Sequence, residues 1–282
     1  MSIRCDSHVH VVGPAGHYPQ VADRTYLADI ASLDDLERAA ATRGVRRFVI
    51  VQPSFYGTDN SVLLETLDRL AGRGRGVAVL DQATPRETLA GLHRRGVRGM
   101  RINLYSPLGE AVPLDARFKT TEAQARALDW HVEVIAPLAM VAENAALLAA
   151  AKVPVVIDHY GLYAGFTPAQ AEGRALIDLL RMPHVWMKLS APYRVSDDAL
   201  ATRPDPAWLA AILSVAADRC VWGSDWPHTP PHDAHAGGAL IAPYRKLRYP
   251  AVVDGFTGAV GSAELAERIM SDNPAQLYEF AK

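Results

Sequence analysis

The sequence predicts an α/β fold, one (β/α)8 barrel spanning residues 1–282 as a single domain, with its functional face at the C-terminal ends of the strands. Three observations carry this expectation. About eight short apolar runs alternate with segments of helical length and pattern. The runs are continuously apolar, as in Phe48-Val49-Ile50-Val51 or Val155-Val156-Ile157, which suits parallel strands covered by helices. Connections into the runs are terse and connections out of them are long, and barrel sites are built from the loops that follow the strands.

In order along the chain, strands are expected at Ile3–His8, Phe48–Gln52, Gly76–Asp81, Gly99–Leu104, His131–Ile135, Val153–His159, Val185–Ser190 and Cys220–Asp225. Helix starts are expected where a side chain can accept the first unpaired backbone N–H groups. The candidates are Ser32-x-x-Asp35, Thr84-Pro85-x-Glu87, Thr121-x-x-Gln124, Thr167-Pro168-x-Gln170 and Asp205-Pro206. Gly44 and Gly96, each after an arginine, supply helix stops. The long outgoing connections are His10–Ala31, Gln52–Asn60, Tyr105–Thr120, Tyr160–Phe166, Ala191–Pro204 and Trp226–Tyr249.

Composition limits the function classes. Of the residues, 49% are hydrophobic and 21% charged, and 29 Lys plus Arg against 31 Asp plus Glu leave a formal net charge of −2. That balance gives no basic field for nucleic acid. The two cysteines, Cys5 and Cys220, lie far apart in strand-like runs, so neither a disulfide scaffold nor a Cys-based zinc site is expected, and a reducing compartment fits. No stretch approaches the ~18 apolar residues of a membrane span, and the N-terminus shows no secretory apolar region, so a cytoplasmic location is expected. A small-molecule substrate is the expected partner, and a homo-oligomer is compatible with the sequence.

Chemistry concentrates at strand ends. His8 and His10, in Asp6-Ser7-His8-Val9-His10, share strand parity and lie about 7 Å apart along the first strand. Such a pair can chelate a divalent metal or present two donors to an anion. His159 ends the sixth strand and Asp225 the eighth, which neighbours the first in a closed barrel. Three imidazoles and one carboxylate should therefore converge, where a carboxylate in an apolar, tryptophan-flanked strand end points to chemistry.

With these residues the chain resembles the amidohydrolase superfamily, and within it the 2-pyrone-4,6-dicarboxylate hydrolase-like group that includes sugar lactonases and galactarolactone isomerases. The resemblance spans nearly the whole chain. It rests on Asp6-Ser7-His8-Val9-His10, the stretch Val51-Gln52-Pro53-Ser54-Phe55-Tyr56-Gly57-Thr58-Asp59-Asn60, Gly99-Met100-Arg101-Ile102-Asn103, Trp130-His131-Val132, Ile157-Asp158-His159, Lys188-Leu189-Ser190-Ala191-Pro192, Trp222-Gly223-Ser224-Asp225-Trp226-Pro227-His228 and Asp272-Asn273-Pro274.

The resemblance implies hydrolysis of a lactone ring. Asp225 would act as general base toward water, and His8, His10 and His159, helped by the Ser54 hydroxyl, would polarise the carbonyl and hold the oxyanion. It also implies substrate contacts from Tyr26, Tyr56, Arg101 and Arg194, while His228 is a candidate donor behind them. Lactone isomerisation, or zinc-dependent non-hydrolytic decarboxylation, are the alternatives on the same scaffold. No metal is expected to be required. If one zinc or similar ion were bound, His8, His10, Glu133 and Asp225 would be its ligands, although an ion pair between Glu133 and Arg101 solves the burial of Glu133 equally well. Only Arg101 and Arg194 are expected as anion-binding forks, which argues for a substrate with at most one carboxylate or a neutral sugar-type lactone. His232 and His235 are read as solvated, and His17, His93 and His184 as structural or surface residues.

Overall fold

A computed structural model describes residues 3–105, 114–230 and 240–281; His232 and His235 lie outside the described residues. The strands are β1 (Arg4–Val9), β2 (Leu27–Ala28), β3 (Val45–Val51), β4 (Gly74–Ala78), β5 (Val97–Asn103), β6 (His131–Ile135), β7 (Val155–Ile157), β8 (Val185–Ser190), β9 (Cys220–Gly223) and β10 (Ile241–Ala242). All except β2 and β10, which pair with each other, form one parallel sheet of 8 strands in chain order. Past the end of β9 the chain returns to β1, where Asp225 N donates to His8 O at 2.9 Å and His10 N to Trp226 O at 2.8 Å. These bonds bring the first and last strands together and close the barrel around its site.

The expected strands are all present, with shifted edges. β3 begins at Val45, before the apolar run, because the exposed Arg46 and half-buried Arg47 mask an alternating start. β7 and β9 stop short of the candidate site residues because His159 (φ 50°) and Asp225 (φ 59°) turn into the left-handed region. Two helix starts follow the expected chemistry: Ser32 accepts from Asp35 N, and Asp205 accepts from Trp208 N with Pro206 in the first helical position.

Three helix starts differ from expectation. Pro85 is itself extended (ψ 146°), so the helix Arg86–Arg94 begins after it and the Thr84 hydroxyl bonds Asp81 O. Thr121 lies inside the helix Leu114–Arg126, which shortens the connection after β5. Gln170 takes the N-cap position of Ala171–Leu180, and its side chain receives Thr167 N at 2.6 Å. In each case the motif is present but the required break in backbone conformation falls elsewhere.

Inside the barrel, Val49, Val51, Val77, Val156 and Val221 pack with Tyr278 and Phe280, so the C-terminal segment plugs the N-terminal end of the barrel. The free Cys5 and Cys220 are both buried. Among the described residues no helix is long and apolar enough to cross a membrane. Gly99 permits close approach of its neighbour on β6, since a Cβ there would stand 2.3 Å from the His131 ring.

Burial, with a smaller push from Lys188, lowers the His131 imidazole to about 3 from its usual 6.5. The unfolded chain then binds one more proton than the fold across that window, so stability is lost as pH falls through it. Replacing His131 with Leu should reduce the loss of unfolding free energy between about pH 7.5 and about pH 5 by about 2 kcal/mol. Urea titrations at both pH values measure this, and an unchanged pH slope would contradict it.

Candidate active site

The barrel interior above the valine layer is ionic. Arg101 on β5, Glu133 on β6, Asp158 just past β7 and Lys188 on β8 are all buried. The Lys188 ammonium touches Glu133 Oε2, lies 3.2 Å from Asp158 Oδ1, and lies 3.2 Å from His8 Nδ1. Arg101 reaches Asp158 Oδ2 at 3.1 Å and Glu133 Oε1 at 3.5 Å. The expected Arg101–Glu133 pair is thus one edge of a larger network. Against the effect of burial, Lys188, His8 and Arg101 hold the Asp158 carboxyl well below its usual range, while burial and the Asp158 charge push Glu133 up.

Above this layer stand the imidazoles. The register of β1 against β3 slips between Asp6 and Val9, and such an irregularity re-aims side chains. His8 consequently faces the interior although its neighbour Ser7 also contacts the interior Cys5. The His8 ring centroid is 4.9 Å from that of His10 and 4.6 Å from that of His159. Asp6 holds the closure in place: its Oδ1 accepts from His8 N at 3.2 Å and Ser224 N at 2.8 Å, and its Oδ2 accepts from Tyr249 OH at 2.9 Å.

Asp225 presents two different oxygens. Oδ2 accepts from Tyr193 OH at 2.6 Å and Arg194 Nε at 3.0 Å. Oδ1 faces His10 Nε2 at 3.3 Å and His8 Nε2 at 3.5 Å. Burial alone would raise this carboxyl, but Arg194, His159 and His10 outweigh it and keep Asp225 ionised far into acid. Burial keeps His159 neutral, with its pKa at about 3, and holds His8 well below the ordinary imidazole value, with Lys188 adding to the effect.

A narrow cleft opens above these groups, lined by His10, Tyr26, Pro53, Ser54, Arg101, Asn103, Ile135, His159, Arg194, Asp225 and Thr229. His8 sits behind Asp225. Tyr56 does not line the cleft, because its hydroxyl is spent on Gly13 N at 3.1 Å. His228 is buried behind the lining with its ring edge-on to Tyr193. His93 is structural, accepting from the Trp130 indole at 3.1 Å.

Sequence reading assigned no role to Lys188, Asp158, Tyr193 or Arg245. Lys188 carries the same signal that singled out Glu133, a charge in an otherwise apolar strand. Tyr193 directly precedes Arg194. Arg245 stacks 4.7 Å over the Tyr193 ring and bonds Thr229 O, contacts between distant loops that no local pattern marks.

Among the described residues, two groups could bring three ligand atoms within 4.8 Å of one another: His8, His10 and Asp225, or His8, Asp158 and His159. Glu133 is in neither. The ligand set expected from sequence is corrected in that respect, because Lys188 and Arg101 engage the Glu133 carboxylate. His10 suits a metal, since Nδ1 lies 2.8 Å from the carbonyl of Val51, which only accepts, and Nε2 faces the site. His8 differs, since its Nδ1 lies 3.2 Å from the Lys188 ammonium and 3.5 Å from Asp158 Oδ1.

A parallel eight-stranded barrel whose strand ends bring one carboxylate against three imidazoles defines a barrel enzyme of the carboxylate-and-histidine type. The chain belongs to the amidohydrolase family, whose sequence profile matches residues 5–280. It is 31% identical over 279 residues to a 4-sulfomuconolactone hydrolase of Rhizobium radiobacter, covering 97% of this chain and 89% of the relative. It superposes with a TM-score of 0.81 and 29% identity on a structure assigned as a 2-pyrone-4,6-dicarboxylic acid hydrolase from Pseudomonas putida, covering 100% of this chain and 99% of the other. An amidohydrolase from Burkholderia multivorans with bound zinc shares the fold at a TM-score of 0.74 and 24% identity, covering 99% of this chain and 100% of the other.

Proposed function

We propose that the protein is a lactone hydrolase in which Asp225 activates water and the imidazoles stabilise the oxyanion, with no metal required. The observation that carries this reading is the division of labour on Asp225. Oδ2 is held by Tyr193 and Arg194, while Oδ1 faces the His10 and His8 rings at 3.3 and 3.5 Å with no closer donor among the described residues, and retains a lone pair for the water proton. As water attacks the lactone carbonyl, Asp225 takes its proton, and an N–H of His159, which lines the cleft, carries the charge that develops on the carbonyl oxygen, with His8 supporting Asp225 from behind. The ring C–O bond then breaks, the proton passes from Asp225 to the departing ring oxygen, and a hydroxy acid leaves.

Charge supports a substrate with few anionic groups. Arg101, Lys188 and Arg194 are already matched by Glu133, Asp158 and Asp225. Among the described residues Arg101 and Arg194 are the only lysine or arginine side chains that line the cleft, and a dicarboxylate would enter a site with no surplus of these cations. The Rhizobium relative is named for a sulfonated lactone and the Pseudomonas structure for a dicarboxylic one, and the proposed preference here is a lactone with at most one carboxylate. A panel of neutral, monocarboxylate and dicarboxylate lactones, followed by base consumption at constant pH, tests this. Ring opening of the first two classes is the expected result; turnover confined to dicarboxylates, or of no lactone at all, would overturn it.

A further inference from the structure

We infer that Lys188 is a positioning residue that fixes the tautomer of His8, making it a hydrogen-bond donor toward the site and disqualifying it as a metal ligand. The inference rests on the reading of Asp225 as the general base given above and deepens it, since the His8 ring nitrogen in question faces that carboxylate. An ammonium has three donors and no acceptor, and the buried Lys188 has three partners: Glu133 Oε2, Asp158 Oδ1 at 3.2 Å and His8 Nδ1 at 3.2 Å. The third contact is attractive only if Nδ1 offers its lone pair. The neutral His8 ring then carries its proton on Nε2, the nitrogen that faces Asp225 at 3.5 Å.

The opposite tautomer would aim an Nδ1–H at Asp158 Oδ1, 3.5 Å away, and leave an ammonium hydrogen directed at the same Nδ1–H. A carboxylate behind a histidine in that way is the arrangement that supports a metal ligand. The ammonium and the carboxylate therefore compete for one nitrogen, and the shorter contact belongs to Lys188. His8 is common to both groups of ligand atoms close enough to share an ion. One lysine beneath it thus sets the character of the whole site, supplying a fixed positive charge behind an N–H donor in place of a lone pair aimed at a cation.

Two measurements test this, and neither needs a substrate, so their failure is distinct from failure of the lactonase reading. The first is nitrogen NMR of the wild-type protein with labelled histidine, the His8 signals being assigned by their loss in His8→Asn. The expected spectrum shows His8 protonated at Nε2 and bare at Nδ1; a proton on Nδ1 would overturn the inference whatever any variant does. The second is calorimetric titration with zinc of Lys188→Met combined with Glu133→Gln, which removes the cation and its nearest anion together. Zinc should bind about 10- to 100-fold more tightly than to wild type, the span over which the outer partner of a ligating histidine tunes affinity. Equal zinc affinity in the folded double variant would refute the role of Lys188.

Discussion

Asp225→Asn should lower kcat by about 10²- to 10⁴-fold, the usual worth of a positioned general base. The amide oxygen can still accept from Tyr193 and Arg194, which now bond Oδ2 at 2.6 and 3.0 Å, so the loop that follows β9 keeps its support. What is lost is an oxygen that can take a proton. The variant should therefore stay folded, at some cost in stability because the buried Arg194 loses its carboxylate partner, and bind the hydroxy-acid product with little change, while steady-state turnover falls. A fall in product affinity as large as the fall in kcat would instead mean that Asp225 organises the cleft. Near-normal turnover would remove it from the chemistry altogether.

The largest effect on stability is expected at Lys188. Its ammonium is fully buried, as are both carboxylates that it touches. Breaking a buried ion pair from one side leaves uncompensated charge and costs about 3–5 kcal/mol, whereas removing both partners together costs much less. Lys188→Ala should lose that amount in urea unfolding. The Lys188→Met, Glu133→Gln double variant should lose markedly less, because Arg101 remains opposite Asp158 at 3.1 Å. Equal losses in the single and double variants would show that packing around the aliphatic stem, and not charge, dominates the energetics of this layer.

The barrel itself was legible because its signals are local. Continuous apolar runs mark parallel strands, and short connections into them mark the face opposite the site. Strand ends were less legible, since the turns at His159 and Asp225 place non-glycine residues at positive φ. Such conformations cost of order 1–3 kcal/mol each, are held by tertiary contacts and have no dipeptide signature. Here they lift the two candidate site side chains over the barrel mouth.

Of the site, the residues on strand ends were found and their partners were not. Neighbouring strands in a barrel follow from chain order, so His8, His10 and Asp225 could be brought together on paper. Glu133 was recognised as a buried charge needing a partner, but its partner was sought on the adjacent β5. Lys188 lies two strands away and crosses the barrel interior to reach it, a distance that pairing rules do not cover. Tyr56 shows the reverse case, a residue with the right type and loop whose hydroxyl is satisfied by the backbone of Gly13.

The most direct test of a carboxylate-driven, metal-independent reaction is the lactone-opening rate of protein freed of metal by chelation, with residual metal determined by mass spectrometry. The predicted result is an undiminished kcat at metal contents far below one ion per chain, with no gain on adding zinc. A rate that collapses on chelation and returns with stoichiometric zinc would contradict it, and would place His10 and Asp225 among metal ligands instead.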